Sequence, residues 1–331
     1  MTVNPSRRTF LQNSAALVAT GATTSLSGCV GDLLGTGTDS GSSITTVGKW
    51  WPAKAAISGA VEGPTESYGL TYVSLESVVE ATDRVDGDLL QGVTFRFDDR
   101  FGAFDVSPED VTFRLYNSHW DVLRWDHDPS DPETVLDEAG FEPASHHREF
   151  TIYASGSDAG GSGERNDHPD EHRVFAFDGT VLVHTSRLLW QDGAAIDGIE
   201  RLIDTHAGEF ERFADENETI GGLLERARAG DTLSISQFDS LPTSEPLPKY
   251  GFFEGLSARC LSGRFDGERF QRQDLFQFPD REAVDMDAIE TYVEALDDED
   301  DGFGHATETT VNRQSGLVEV SSTLPLESLV E

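Results

Sequence analysis

"VFAFDGTVLVH", residues 174–184, decides the kind of fold that this sequence encodes. Two short apolar runs flank Asp178-Gly179-Thr180. An Asp-Gly step between two apolar runs is a strong local signal for a β-hairpin, because glycine accepts the backbone angles that a tight turn requires. The stretch therefore predicts two antiparallel strands that pack on a common core.

Strands and helices alternate on both sides of this hairpin. Residues 111–115, 232–238 and 317–321 read as strands, and short helices are predicted near 75–81, 220–229 and 287–296. A longer helix is predicted by side chains at steps of three and four: Ile196, Ile199, Ile203, His206, Phe210 and Phe213. Helices are too few for a doubly wound parallel sheet. The sequence therefore predicts an α+β fold with mostly antiparallel sheets, and its strand-helix-strand-strand order is compatible with ferredoxin-like units.

The composition is strongly acidic. The chain has 61 Asp and Glu against 24 Lys and Arg, a formal net charge of −37, yet 37% of its residues are hydrophobic, which is enough for a folded core. The self-repulsion of such a protein is largely screened in molar salt, where the Debye length is about 3 Å. This composition resembles that of proteins from halophilic archaea. Since no basic patch is present, nucleic acid is not an expected partner.

The first 28 residues differ from the rest of the chain. Arg7 and Arg8 are their only charged side chains, and the uncharged run that follows is rich in small residues. This order is typical of an export signal. Residues Ser6-Arg7-Arg8-Thr9-Phe10-Leu11 resemble the S-R-R-x-F-L pattern of the twin-arginine export signal, which a receptor reads as an address. The resemblance implies that residues 1–28 are a signal segment and that the protein folds before export.

Leu26-Ser27-Gly28-Cys29 resembles a lipobox, the signal at which the cysteine of a lipoprotein is lipidated. This resemblance implies that Cys29 becomes the lipid-bearing first residue and holds the protein on the extracellular face of the cell membrane. Removal of the two arginines takes the net charge from −37 to −39. Residues 29–46 then read as the lipidated cysteine and a flexible Gly/Ser/Thr-rich linker, and residues 47–331 as the folded body. The Gly-rich segment 155–172 is a candidate boundary between two subdomains.

An acidic run near the C-terminus offers a weak calcium motif. Asp297, Glu299, Asp301 and Glu308 fall at positions 1, 3, 5 and 12 of a calcium-binding loop, and a glycine, Gly302, falls at position 6. Position 3 departs from the usual Asp or Asn, and the segment after the loop reads as a strand rather than a helix. The alternative is a solvated acidic loop, since carboxylate clusters are common in so acidic a chain.

The sequence contains no catalytic signature. It has no G-x-S-x-G, P-loop, H-E-x-x-H or C-x-x-C motif, and its histidine spacings match no known metal-ligand pattern. Its second cysteine, Cys260, lies in a strand-like run and is predicted to be a buried small hydrophobe. We therefore expect a lipid-anchored surface protein with a non-enzymatic binding or envelope role and no cofactor other than the calcium just considered. An extracytoplasmic metal-assisted hydrolase or a calcium-binding surface protein is the alternative.

Overall fold

The computed structural model describes residues 43–53, 67–84, 97, 101, 106–117, 120–125, 134, 136, 138–155, 173–186, 194–239, 245–297 and 305–329. Six helices lie in these ranges: α1 (Ser43–Trp50), α2 (Leu75–Thr82), α3 (Ala194–Ala207), α4 (Phe213–Glu216), α5 (Glu218–Arg226) and α6 (Met286–Asp297). The strands of the first half are β1 (Ser67–Ser74), β2 (Val111–Tyr116), β3 (Trp120–Trp125), β4 (Phe141–His147), β5 (Phe150–Ser155), β6 (Arg173–Phe177) and β7 (Val181–Ser186). Those of the second half are β8 (Thr232–Phe238), β9 (Ala258–Asp266), β10 (Arg269–Gln277), β11 (Thr307–Gln314) and β12 (Leu317–Pro325).

The twelve described strands form one sheet, in the order β11-β12-β10-β9-β8-β1-β2-β3-β7-β6-β5-β4. Every neighbouring pair is antiparallel. The predicted α+β class with antiparallel sheets is confirmed. Ferredoxin-like units are not confirmed: β1 and β2, which flank α2, pair directly and antiparallel, whereas the split βαβ arrangement places a crossover helix between parallel strands.

The sheet separates the core into layers because successive side chains of a strand point to opposite faces. One face is covered by α1, α3, α4 and α5 along most of the sheet. The opposite face packs on α2, Phe97 and Phe101 over the first-half strands, and on α6 over the second-half strands. β10 illustrates the division: Leu275 faces the first layer, while Phe276 faces α6.

The predicted hairpin is present. β6 and β7 pair over Arg173–Phe177 and Val181–Ser186, and Asp178 Oδ1 accepts hydrogen bonds from the backbone N–H groups of Thr180 (2.8 Å) and Val181 (2.7 Å). β8 also spans the predicted residues. The predicted helix 196–213 is too long, because α3 ends at Ala207 and Gly208 takes the left-handed φ of +82° that commonly terminates helices. Phe210 is consequently 42% exposed, and Phe213 begins α4.

Two predicted boundaries lie next to described elements. α1 begins at Ser43, so the last four residues of the predicted linker 29–46 are helical. β5 and β6 flank the segment 155–172, yet they pair directly with each other through Thr151↔Phe177 to Ala154↔Val174. The sheet therefore continues from one strand to the next at the predicted subdomain boundary.

Candidate functional site

Most of the sequence-predicted site residues lie outside the described part of the chain: Arg7, Arg8, Phe10, Leu11, Cys29, Glu299 and Asp301. Asp297 is the last residue of α6, and Glu308 lies near the start of β11 with a φ of +56°, where the pairing with β12 shifts register. Within the described ranges, no group of three His, Cys, Asp or Glu side chains is arranged to hold a metal ion. The calcium loop thus stays a prediction from sequence spacing.

α1, which begins within the predicted linker, is fixed to the body together with the residues after it. Ser43, at the start of α1, is buried, and its Oγ accepts a hydrogen bond from the Gly230 N–H at 3.1 Å. Beyond the helix, the Phe213 N–H donates to the Trp51 carbonyl (2.8 Å), and the Ala53 N–H donates to the Glu211 carbonyl (2.9 Å). The chain therefore enters the body at a defined place on the helical face.

Aromatic rings hold this entry point. The Trp51 ring lies 4.8 Å from that of Phe213 and 5.6 Å from that of Tyr68 on β1, and the Tyr68 hydroxyl donates to the Pro52 carbonyl at 3.0 Å. Trp51 and Phe213 are completely buried. Rings of this size contribute large apolar areas, and tilted pairs at 4.5–7 Å add favourable contacts. Trp51 therefore packs directly against the first strand of the sheet.

The neighbouring tryptophan, Trp50, stacks on a histidine. The rings of Trp50 and His206 are 4.1 Å apart and inclined by 12°. Burial lowers the pKa of His206, and the positive charges of Lys49 and Arg212 lower it further. The His206 Nδ1 is buried and has no hydrogen-bond partner among the described residues, so the ring is held in part by its stacking on Trp50.

A charge cluster, Arg272–Asp274–Tyr292, is buried under α6. The Arg272 Nε donates to both Asp274 oxygens at 2.8 Å, the Arg272 Nη2 donates to the Tyr292 hydroxyl at 2.6 Å, and that hydroxyl donates to Asp274 Oδ2 at 2.7 Å. Burial raises the pKa of Tyr292 well above its ordinary value. The tyrosine is therefore a neutral hydrogen-bonding member of the cluster, not a nucleophile.

Arg259 lies close to this cluster and is stabilised differently. Its guanidinium is 4.1 Å from the centre of the Phe252 ring and 5.9 Å from that of Phe238, and its Nη1 donates to the Tyr250 carbonyl at 3.2 Å. No described carboxylate lies within ion-pair distance of it. Burial lowers its pKa to about 10, so it stays charged at neutral pH on aromatic faces and one carbonyl.

The first half of the sheet holds a comparable buried cluster, Arg114–Asp121–His184. The Arg114 Nε donates to Asp121 Oδ1 at 2.9 Å, and the His184 Nδ1 lies 3.7 Å from Asp121 Oδ2. The arginine is also 4.2 Å from the centre of the Tyr116 ring. All three members are nearly inaccessible to solvent. Such a cluster fixes β2, β3 and β7 against each other.

An ionic contact on the surface joins the β4–β5 turn to α3. Asp204 on α3 accepts hydrogen bonds from the Arg148 Nε (2.6 Å) and pairs with the His147 Nε2 (2.8 Å), and Arg148 also pairs with Glu209. Partial burial acts to raise the pKa of Asp204, but its hydrogen bonds to Arg148 and His147 outweigh this and lower the pKa. The contact fixes the position of β4, at one edge of the sheet.

Taken together, these groups organise the fold and expose no activated nucleophile. Cys260, the one described cysteine, is completely buried, and burial raises the pKa of its thiol, so its thiolate is disfavoured. Sequence reasoning missed both Arg–Asp pairs. The R-x-D spacing of Arg272 and Asp274, which on a strand places both side chains on one face, was the available signal.

Comparisons with known proteins identify no family. No family model and no curated protein matches the chain. Crystal forms I and III of TP0453 have similar structures, with TM-scores of 0.44 and 0.41 and 9% sequence identity in each case. The match to form I covers 83% of this chain and 94% of that one, and the match to form III covers 82% and 95%. In the described ranges, no helix is both long and apolar enough to cross a membrane.

Proposed function

We propose that this chain is a lipid-anchored protein of the extracellular face of the cell membrane, and that its body acts by binding or in the cell envelope. One observation carries the proposal: S-R-R-x-F-L and L-S-G-C occur in the first 29 residues, in the order and spacing that export followed by lipidation requires. The binding partner is a protein or small molecule that the sequence does not specify.

An anchor at Cys29 would connect to the body through α1. Thirteen residues, 30–42, separate Cys29 from Ser43. Because an extended chain spans at most about 3.6 Å per residue, the start of α1 would lie within about 50 Å of the membrane surface. α1 is packed through buried side chains of Val47 and Trp50, so the body would be tethered from one fixed point on its helical face.

Cell fractionation tests the proposal. Cys29→Ser should be exported and released into the medium, because no other residue of the proposed lipobox provides a thiol. Cys260→Ser is the matched control: it also removes one sulfur, but from a buried strand position, and the protein should stay with the membrane. A Cys29→Ser protein that remains as firmly membrane-bound as the wild type would refute lipid anchoring at this residue.

The export step is tested separately. Replacement of Arg7 and Arg8 by lysine keeps the positive charge but removes the paired guanidinium groups that the twin-arginine receptor reads. The precursor should then accumulate in the cytoplasm. Unchanged surface display of this variant would contradict the twin-arginine assignment.

A further inference from the structure

The two ends of the twelve-stranded sheet are unequal. β4, at one end, contains Pro143, which lacks a backbone donor, and its pairing with β5 shifts register between Pro143 and Ser145. The adjacent turn is also held against α3 through Arg148 and Asp204. Prolines and irregularities of this kind prevent further strand pairing. This end of the sheet is therefore protected from other chains.

The other end, β11, is more open. β11 pairs with β12 on one side, and no described strand lies on its other side. The register shift is confined to its start, between Thr307 and Thr310, and pairing is regular from Thr310 to Gln314. Since alternate residues of an antiparallel strand direct their N–H and C=O groups away from a given neighbour, this segment presents backbone groups that can pair with another strand.

The residues of this segment suit close approach of an acidic protein. Thr310-Val311-Asn312-Arg313-Gln314 contains one base and no acid, in a chain with 61 acidic residues. Val311 is 39% exposed, although Val320, the residue opposite it on β12, is completely buried. The apolar row of this face thus continues to the open edge, where an added strand would cover it.

We propose that β11 pairs antiparallel with β11 of a second copy of this chain, about a two-fold axis at Asn312, the midpoint of the regular segment. Thr310 would then face Gln314 of the second copy, Val311 would face Arg313, and Asn312 would face itself. No like charges stand directly opposite each other, and the Arg313 guanidinium donates to the Arg281 carbonyl of its own chain.

The pairing is expected to be weak in solution. Five residues a side bury less than the roughly 1,000 Å² of a stable interface. A second copy anchored to the same membrane has a much higher effective concentration than any free peptide, and this favours self-pairing. This step rests on the proposed lipid anchor.

Disulfide trapping tests the pairing on intact cells that carry the full-length protein. Directly opposite residues of an antiparallel pair have Cβ atoms about 4.5–5.5 Å apart, close to disulfide range. Asn312→Cys should therefore give a disulfide-linked dimer under mild oxidation, seen on a non-reducing gel. Thr310→Cys is the matched control, exposed on the same face of the same strand. Two copies of residue 310 would be separated by four residue steps, about 13 Å, and should not crosslink.

A paired variant checks the register. Thr310→Cys together with Gln314→Cys places two thiols opposite each other on either side of the axis and should restore the dimer. The wild-type chain, with Cys29 and Cys260, sets the background. Absence of a dimer for both Asn312→Cys and the paired variant in correctly folded protein would overturn the proposal. So would equal crosslinking of Asn312→Cys and Thr310→Cys, which indicates random collision, or a crosslink to a different protein, which indicates a foreign partner.

The result is separable from the anchoring test. Dimer formation is measured in the membrane-bound and the released protein alike. If Asn312→Cys protein that keeps Cys29 is found in the medium and still forms the dimer, the anchor is refuted and the pairing is supported. If that protein is membrane-bound but forms no dimer, the anchor is supported and the pairing is refuted.

Discussion

Replacement of Asp274 by alanine should destabilise the protein strongly. The carboxylate is completely buried and accepts hydrogen bonds from the Arg272 Nε and the Tyr292 hydroxyl, all at 2.7–2.8 Å. Its removal takes away the charge that balances a buried guanidinium. Breaking a buried ion pair from one side typically costs about 3–5 kcal/mol, because the remaining charge stays desolvated. We expect a loss of that size in the free energy of unfolding.

The same reasoning predicts that removing the whole cluster is better tolerated. A triple variant, Arg272→Met, Asp274→Leu and Tyr292→Phe, fills a similar volume with apolar groups and leaves no buried charge or hydroxyl behind. Apolar replacement of buried ion pairs is often neutral or stabilising. The triple variant should therefore be more stable than Asp274→Ala, although it carries more substitutions.

Urea unfolding in molar potassium chloride, followed by tryptophan fluorescence, measures these effects. Urea is uncharged, so the ionic strength stays constant along the titration. Glu80→Ala is the control: Glu80 pairs with Arg84 on an exposed helix surface at 3.7 Å, and its loss should cost less than about 0.5 kcal/mol. If Asp274→Ala is no less stable than Glu80→Ala, or if the triple variant is as unstable as the single one, an unbalanced charge on Arg272 does not destabilise the protein.

Three further predictions concern salt, calcium and pH. The body should be stable in molar salt and should loosen in dilute buffer, because its surface charges repel each other more when the Debye length grows to about 30 Å at 0.01 M. Equal melting temperatures across a salt series would contradict the halophilic interpretation. If the acidic run Asp297–Glu308 binds calcium, micromolar calcium should raise the melting temperature in molar potassium and Glu308→Gln should abolish the gain, whereas a solvated loop predicts no change. Because the folded state lowers the pKa of His206, protonation of this residue favours unfolding. Stability should therefore fall as the pH drops below about 6.5, the pKa of histidine in the unfolded chain. His206→Phe, which retains a ring against Trp50, should weaken this decline, and parallel decline in the two proteins would argue against a contribution from His206.

Local signals in the sequence predicted the elements that depend on neighbouring residues. The Asp-Gly turn at 178–179 gave the β6–β7 hairpin, and the run 232–238 is β8, because turn geometry and strand alternation are decided within a few residues. The end of α3 was missed for a local reason too. The apolar spacing continues to Phe213, but Gly208 ends the helix in the left-handed conformation, and helix termination outweighs periodicity there.

The charged clusters could not be predicted in the same way. Arg272 and Tyr292 are twenty positions apart and meet only because α6 packs across β10. Arg114 and His184 approach the same carboxylate because β3 lies between β2 and β7. Charged residues are exposed in most proteins, so a sequence pattern alone favours the surface for each of them. The lipidation and export residues were predicted from motifs alone, and these lie outside the described part of the chain.

The distribution of charge connects these observations. Among the described residues, the nearly inaccessible members with a full charge are Arg114, Arg259, Arg272, Asp121 and Asp274, which together carry one net positive charge. The chain as a whole carries −37, so its excess of acid lies outside this interior set. A positive interior beneath a negative surface is electrostatically favourable, because each buried guanidinium lies in the attractive field of the surrounding carboxylates. This helps to explain how Arg259 remains charged although no described carboxylate pairs with it. It also helps to explain why arginine, whose planar group stacks on aromatic rings, occupies these positions and lysine does not.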